Sequence, residues 1–298
     1  MNDFYEELRT ILPEASIKRD EPMERHTTFR IGGPARYFLI PETQEAFIRA
    51  AMLCRQRAVP WYVVGHGSNL LVKDEGYEGV ILSTEGLQSY QTEGSRIRAE
   101  AGLLLSRIAR TAAKKNLTGF EFAAGIPGTL GGAVVMNAGA YGSEMKDCLV
   151  CARVLDREGC VRTLSLEELE LGYRKSSVAA GGYVVLEAEI RLSPGDGEAV
   201  CKKMEELARR RKEKQPLEYP SAGSTFKRPE GYFAGKLIED AGLRGYRRGG
   251  AQVSEKHCGF VINRDRATAK DVRELCGEVK RRVLEQSGVE LELEVKLL

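Results

Sequence analysis

The chain has 298 residues, 42% hydrophobic and 30% charged, with 45 basic and 43 acidic side chains leaving a net charge of +2. That composition is that of an ordinary globular protein with room for two or three compact lobes. Its evenly mixed charges argue against the basic stripe of a nucleic-acid binder. No apolar run approaches the ~20 residues of a membrane span. The nearest stretch, residues 123–140, is broken by Pro127 and repeated glycines. Residues 1–7 are acidic and lack an apolar core, so no secretory signal and a cytoplasmic location are expected.

In chain order, residues 36–41 read as a strand, and residues 43–57 as a helix with Thr43 as N-cap. Residues 60–64 give a second strand that runs into Val64-Gly65-His66-Gly67-Ser68-Asn69-Leu70. This β-α-β unit places a glycine loop at a strand's carboxyl end, where α/β sheets bind ligands. The loop is Gly-x-Gly-Ser-Asn and not Gly-x-Gly-x-x-Gly, and Lys73-Asp74-Glu75-Gly76 follows in place of a long helix. An ordinary Rossmann fold is therefore disfavoured. Residues 88–99 read as a hairpin turning at Glu93-Gly94-Ser95, and 103–115 as an amphipathic helix.

Residues 149–155 and 161–164 read as paired strands around Arg157-Glu158-Gly159, 165–171 as a helix, and 183–192 as a strong strand. Runs of strands with few helices predict an α+β second lobe. Ser193-Pro194-Gly195-Asp196-Gly197 is the clearest linker. Beyond it, 198–214, 233–240 and 268–285 read as helices, and 259–263 and 289–297 as strands, a separate small α/β domain. The expected boundaries are residues 1–85, 86–197 and 198–298.

The most informative segment is residues 119–142, apolar yet carrying Gly125, Gly128, Gly131, Gly132, Gly139 and Gly142. That density opposes a long helix or strand. Backbone stripped of side chains can come close to a diphosphate and offer it N–H donors. Two such loops predict a large nucleotide cofactor gripped along its length. The expected contacts are Gly65, Gly67, Ser68 and Asn69 from the first loop, and Ala124, Gly125, Gly128, Thr129, Gly132 and Asn137 from the second. Asn69, Thr129 and Asn137 also suit plain turn chemistry, but their presence in both loops favours binding. His66 reads as a loop residue in preference to a covalent cofactor tether.

Seven cysteines at irregular spacing read as mostly small buried residues of a reducing compartment. Cys148 and Cys151 form a Cys-x-x-Cys pair, but strand positions three apart face opposite sides. With no second pair and His26, His66 and His257 scattered, no metal site is expected.

Small residues leading into Ser224, with Lys227 and Arg228 nearby, leave its hydroxyl accessible, although a polar surface turn is the plainer reading. No Gly-x-Ser-x-Gly or adjacent histidine supports an acyl-transfer nucleophile, so Ser224 better suits hydrogen bonding or proton donation. Arg174, within Tyr173-Arg174-Lys175-Ser176-Ser177, can pair bidentately with a carboxylate, or sit in a solvated loop. Glu290, Glu292 and Glu294 alternate with apolar residues on one strand face, which singly reads as the wet face of an edge strand. Lys214 and His257 are weaker candidates for ligand contacts.

Together these segments resemble the UDP-N-acetylenolpyruvoylglucosamine reductase family. The markers run in order along nearly the whole chain: His26-Thr27-Thr28-Phe29-Arg30-Ile31-Gly32-Gly33-Pro34-Ala35, Gly65 to Leu71, Gly125 to Ala133 continuing through Asn137 to Gly142, Tyr173-Arg174-Lys175-Ser176, Gly223 to Pro229, Ala234 to Glu239, and Leu291 to Lys296. The resemblance implies an α+β fold. It has a two-lobed FAD-binding domain of the vanillyl-alcohol-oxidase/PCMH type and a small C-terminal substrate domain. It implies non-covalent FAD, NADPH as co-substrate, and reduction of UDP-N-acetylglucosamine enolpyruvate to UDP-N-acetylmuramate for peptidoglycan synthesis. Hydride would come from flavin N5 and a proton from Ser224. Arg174, Ser224 and Glu294 fall on the catalytic positions, and Tyr173, Lys214, Arg228 and His257 on substrate contacts. Fifty positions separate Arg174 from Ser224, which resembles the shorter class that lacks a tyrosine-bearing loop over the substrate.

Overall fold

The computed structural model describes residues 2–298; Met1, the first residue of the expected first lobe, lies outside them. The chain forms two units. One comprises the chain up to Arg19 with Tyr37–His66 and Gly79–Arg210, and the other Asp20–Arg36, Gly67–Glu78 and Arg211–Leu298. Among the described residues, no helix is long and apolar enough to cross a membrane.

The first unit holds two apolar cores. In one, Leu8, Phe47, Ala50, Ala51 and Cys54 of the helices Asn2–Arg9 and Gln44–Gln56 bury themselves with Val80 and Leu82. Thr43 caps the second helix as expected, its hydroxyl accepting the Ala46 N–H at 3.1 Å. A four-stranded sheet runs in the order Ile17–Pro22, Pro34–Leu39, Tyr77–Ser83, Trp61–Val64. Trp61 to Val64 pair in parallel with Val80 to Ser83. The strand Tyr77–Ser83, which the sequence reading passed over, thus separates the two strands of the expected β-α-β unit. Val80, Ile81 and Leu82 are all fully buried, so it shows an apolar run in place of alternation.

The other core of this unit lies on a five-stranded sheet. Its order is Val161–Ser165, Leu149–Leu155, Val184–Arg191, Arg96–Glu100, Tyr90–Glu93, with every pairing antiparallel. Along Arg96–Glu100, buried Ile97 and Ala99 alternate with exposed Arg96 and Arg98 and half-buried Glu100, the period-two pattern of a sheet with one wet face. Helices Leu105–Lys114 and Leu130–Met136 contribute Ile108, Ala109, Ala112, Ala133 and Val134 to the same core. The expected hairpin, the helix at 103–115, the paired strands around Arg157-Glu158-Gly159 and the strand at 183–192 are present. Ser193–Pro194, at the start of the expected linker, pairs with Leu117–Thr118.

The helix expected at 165–171 does not form. Ser165 and Glu168 bond each other reciprocally, Ser165 N–H to Glu168 Oε2 at 2.7 Å and Glu168 N–H to Ser165 Oγ at 3.2 Å. That pattern starts many helices. Here Glu170 takes φ +44° and the Leu169 carbonyl receives the Ser177 N–H, so the chain turns once and stops.

In the second unit, Phe29, Ile31 and Leu71 share a core with Phe226, Ile238, Val253, Leu275, Val279 and Leu291. A three-stranded antiparallel sheet, Arg247–Arg248, Ala251–Val253 and Val261–Asn263, lies with helices Ala234–Asp240 and Ala269–Ser287. Thr268 and Asp271 form a capping box at the start of the long helix. The expected strand at 289–297 is not continuous. Leu293 bridges Phe226 antiparallel, and Lys296–Leu297 then pair in parallel with Leu70–Leu71. Two short partners replace one long one.

Candidate active site

Thr129 starts the helix Leu130–Met136, yet its hydroxyl does not cap it. Oγ1 is buried without a hydrogen-bond partner among the described residues. A Cβ on Gly65 would run into that oxygen, and one on Gly132 would lie 3.7 Å from it. Two glycines, one from each expected loop, therefore leave room beside a hydroxyl able to donate and accept. Leaving such a group dry and unpaired costs about 1–3 kcal/mol, a cost that a polar ligand lying along the glycines removes. The residues fit the cradle of a nucleotide cofactor.

Much of the second loop's backbone is engaged within the protein. The Ala124, Gly128, Leu130 and Gly131 amides donate to Glu121, Ile126, Leu103 and Ala101 respectively, at 2.9–3.2 Å. In the first loop, Gly67 has φ +61°, and a side chain there would strike the His26 carbonyl. Its own carbonyl accepts the Thr28 N–H at 3.3 Å. His66 is exposed, and Ser68 and Asn69 are half-buried.

Arg174 sits in a tight turn of the first unit, with Gly172 and Lys175 exchanging N–H···O bonds at 3.0 and 3.1 Å. It takes φ +53°, unusual for a residue with a Cβ. Its guanidinium lies 5.2 Å from the exposed Tyr173 ring, and Nη2 donates to the Gly139 carbonyl at 3.4 Å. Asn137, buried at the end of the Leu130–Met136 helix, donates to the Gly172 carbonyl at 3.1 Å.

Ser224 and Glu294 come together in the second unit. The Glu294 N–H donates to the Thr225 carbonyl at 2.9 Å, and the Lys227 N–H to the Glu292 carbonyl at 2.8 Å, on either side of the Phe226–Leu293 bridge. Ser224 is therefore next to the residue that faces Glu294. Thr225, which sequence reading did not mark, is buried, and its hydroxyl accepts the Val261 N–H at 2.8 Å. Asn69 donates its side-chain amide to the Glu294 carbonyl at 3.1 Å. Glu290 and Glu292 are exposed, with Glu292 paired to Lys227, while Glu294 is half-buried. Only the last departs from the wet-edge reading.

His257 belongs to the same neighbourhood. Its Nδ1 accepts the Gly259 N–H at 3.1 Å, and the Gly259 carbonyl accepts the Thr225 N–H at 2.9 Å. Burial pushes its pKa below the ordinary histidine range. Arg228 is exposed, stacked 4.0 Å from the Phe233 ring centroid, and Lys214 is exposed at the end of the Gly197–Lys214 helix. The Cys148 thiol is buried, and burial pushes its pKa up to about 12, which keeps it a protonated, unreactive thiol.

Residues 215–298 match the family model of the UDP-N-acetylenolpyruvoylglucosamine reductase C-terminal domain, and residues 35–165 match that of an FAD binding domain. A UDP-N-acetylenolpyruvoylglucosamine reductase of Lachnoclostridium phytofermentans is 55% identical over 100% of this chain and 97% of its own length. The chain belongs to the UDP-N-acetylenolpyruvoylglucosamine reductase family. A second reductase of that name, from Caldanaerobacter subterraneus, is 52% identical over 99% of this chain and 98% of its own. The crystal structure of UDP-N-acetylenolpyruvylglucosamine reductase from Thermus caldophilus superposes with a TM-score of 0.81 at 38% identity, covering 94% of this chain and 98% of that one. A glucose dehydrogenase, Phl p 4.0202, aligns with a TM-score of 0.52 at 13% identity over 64% of this chain and 44% of its own. That likeness extends to the fold alone. The fold is α+β, with a PCMH-type FAD-binding domain and the reductase family's C-terminal domain.

Proposed function

We propose that Arg174, Ser224 and Glu294 carry the chemistry of this FAD-dependent oxidoreductase. The enzyme reduces UDP-N-acetylglucosamine enolpyruvate to UDP-N-acetylmuramate with NADPH, in peptidoglycan precursor synthesis. FAD, when bound, supplies the redox step that brings the reducing equivalents of NADPH to the alkene. The observation that carries the residue assignment is the pairing of the Ser224 and Glu294 segments through the Thr225 carbonyl.

Reduction at the terminal carbon of the enolpyruvyl group leaves negative charge on the neighbouring carbon and its carboxylate. A guanidinium held by its turn, as Arg174 is, stabilises charge that appears only as the reaction proceeds. The Ser224 hydroxyl delivers a proton to that carbon; it is a weak acid, but the carbanion is a far stronger base. A bare carboxylate would repel the developing anion, so Glu294 works either protonated or hydrogen-bonded to a donor.

Thr129 and the glycines around it, with Gly65, Gly67, Ser68, Asn69, Ala124, Gly125 and Gly128, form the FAD cradle of this reading; Asn137, also expected there from the sequence, has its amide committed within the protein. Tyr173, Lys214, Arg228 and His257 are its substrate contacts. Residues 1–85 and 86–197 serve as the FAD lobes and 198–298 as the substrate domain. NADPH and a UDP-sugar as substrates suit a cytoplasmic site of action.

The purified protein is expected to be yellow, with its flavin bleached by NADPH and restored by UDP-N-acetylglucosamine enolpyruvate. Restoration by that substrate supports the reading. A flavin reduced by a 2-hydroxy acid and indifferent to the enolpyruvate would overturn it.

A further inference from the structure

The turn that carries Arg174 is fixed at both ends to the end of one short helix. Asn137 follows the helix Leu130–Met136 in a left-handed conformation, φ +41°, which asparagine tolerates better than most residues. Its side chain is buried and fully committed. Nδ2 donates to the Gly172 carbonyl at 3.1 Å and to Glu144 Oε2 at 3.0 Å, and Oδ1 accepts the Lys146 N–H at 3.0 Å. At the other end of the turn, Ser176 Oγ donates to the Val135 carbonyl at 2.7 Å. Arg174 lies between these two anchors, with its own Nη2 reaching the carbonyl of Gly139 just beyond Asn137.

We infer that Asn137 is a positioning residue for Arg174, its buried amide setting where the guanidinium stands, and that this is its role in place of direct cofactor contact. The inference rests on the catalytic reading of Arg174 given above. It follows from donor geometry. A primary amide supplies both hydrogens that Gly172 and Glu144 accept and the oxygen that Lys146 requires. No other side chain of that size does all three.

The test uses the FAD-loaded enzyme and three variants, Asn137→Gly, Arg174→Ala and the pair combined, with flavin absorbance followed in each half-reaction. Glycine keeps the left-handed backbone and removes only the amide. Asn137→Gly is expected to leave FAD affinity and reduction by NADPH within about threefold of the parent, while reoxidation by UDP-N-acetylglucosamine enolpyruvate slows about 10²-fold, the loss that misplacing a catalytic group produces. Asn137→Asp, which cannot donate to Gly172 and repels Glu144, gives the same split. In the double variant, removing Arg174 costs far less than it costs the parent, because the two residues act as one unit. Losses that multiply in full, or a fall in FAD affinity with both half-reactions slowed alike, overturn the inference alone. An Arg174→Ala enzyme reoxidised at the parent rate overturns the catalytic reading of Arg174, and this inference with it.

Discussion

Asn69 reaches from the first glycine loop to Glu294, its amide donating to the Glu294 carbonyl at 3.1 Å, while the Lys296 N–H returns a bond to the Asn69 carbonyl at 3.0 Å. One loop residue therefore sets the height of the Glu294 backbone. Asn69→Ala is expected to cost about 1–3 kcal/mol of stability, because a half-buried carbonyl loses its donor. It also slows flavin reoxidation by the enolpyruvate more than reduction by NADPH. Urea denaturation and stopped-flow absorbance read both effects. A variant that keeps the parent's stability and both rates would remove Asn69 from this role.

Thr129 offers a prediction with opposite signs in two measurements. Thr129→Val keeps the shape of the side chain and removes a buried hydroxyl that has no partner among the described residues. The apoprotein should become more stable, by about 1 kcal/mol, since a dry unpaired polar group is eliminated. FAD should dissociate roughly 5–10-fold more readily, the worth of one neutral hydrogen bond. Denaturation of the apoprotein and fluorescence titration with FAD give the two numbers. Unchanged FAD affinity would show that the hydroxyl faces no cofactor atom.

His257 makes stability depend on pH in a definite direction. Burial holds its pKa below the ordinary range in the folded protein, and its Nδ1 is occupied as an acceptor from Gly259. A depressed folded value means that the unfolded chain takes up the proton first. The stabilising contribution is present above the unfolded value of about 6.5 and is lost as pH falls through and below it. His257→Asn, which keeps an acceptor and cannot titrate, should flatten this dependence. Urea midpoints of parent and variant that fall in parallel below pH 6.5 would contradict it.

Local rules were legible in the chain, and distant partnerships were not. Thr43 announced a helix because capping depends on residues three apart. The alternation through Ile97 and Ala99 announced a strand with one wet face. Tyr77–Ser83 escaped because a strand buried on both sides carries no alternation. Ser165 and Glu168 misled because one reciprocal cap begins turns as well as helices. Resemblance pointed to Ser224 and Glu294, but their pairing through Thr225 is a tertiary contact that no spacing discloses. Asn69 and Glu294 stand 225 positions apart, and the Asn137 clamp on Gly172 spans 35. Both look like ordinary turn asparagines until the fold brings their partners in.

The proton that completes the product is assigned to Ser224, and separating the half-reactions of Ser224→Ala by stopped-flow absorbance tests that most directly. NADPH should bleach the flavin at the parent rate, while recovery of colour on adding UDP-N-acetylglucosamine enolpyruvate slows by at least ~10²-fold, the usual contribution of a positioned general acid. Equal slowing of both phases, or a recovery as fast as the parent's, would contradict the account.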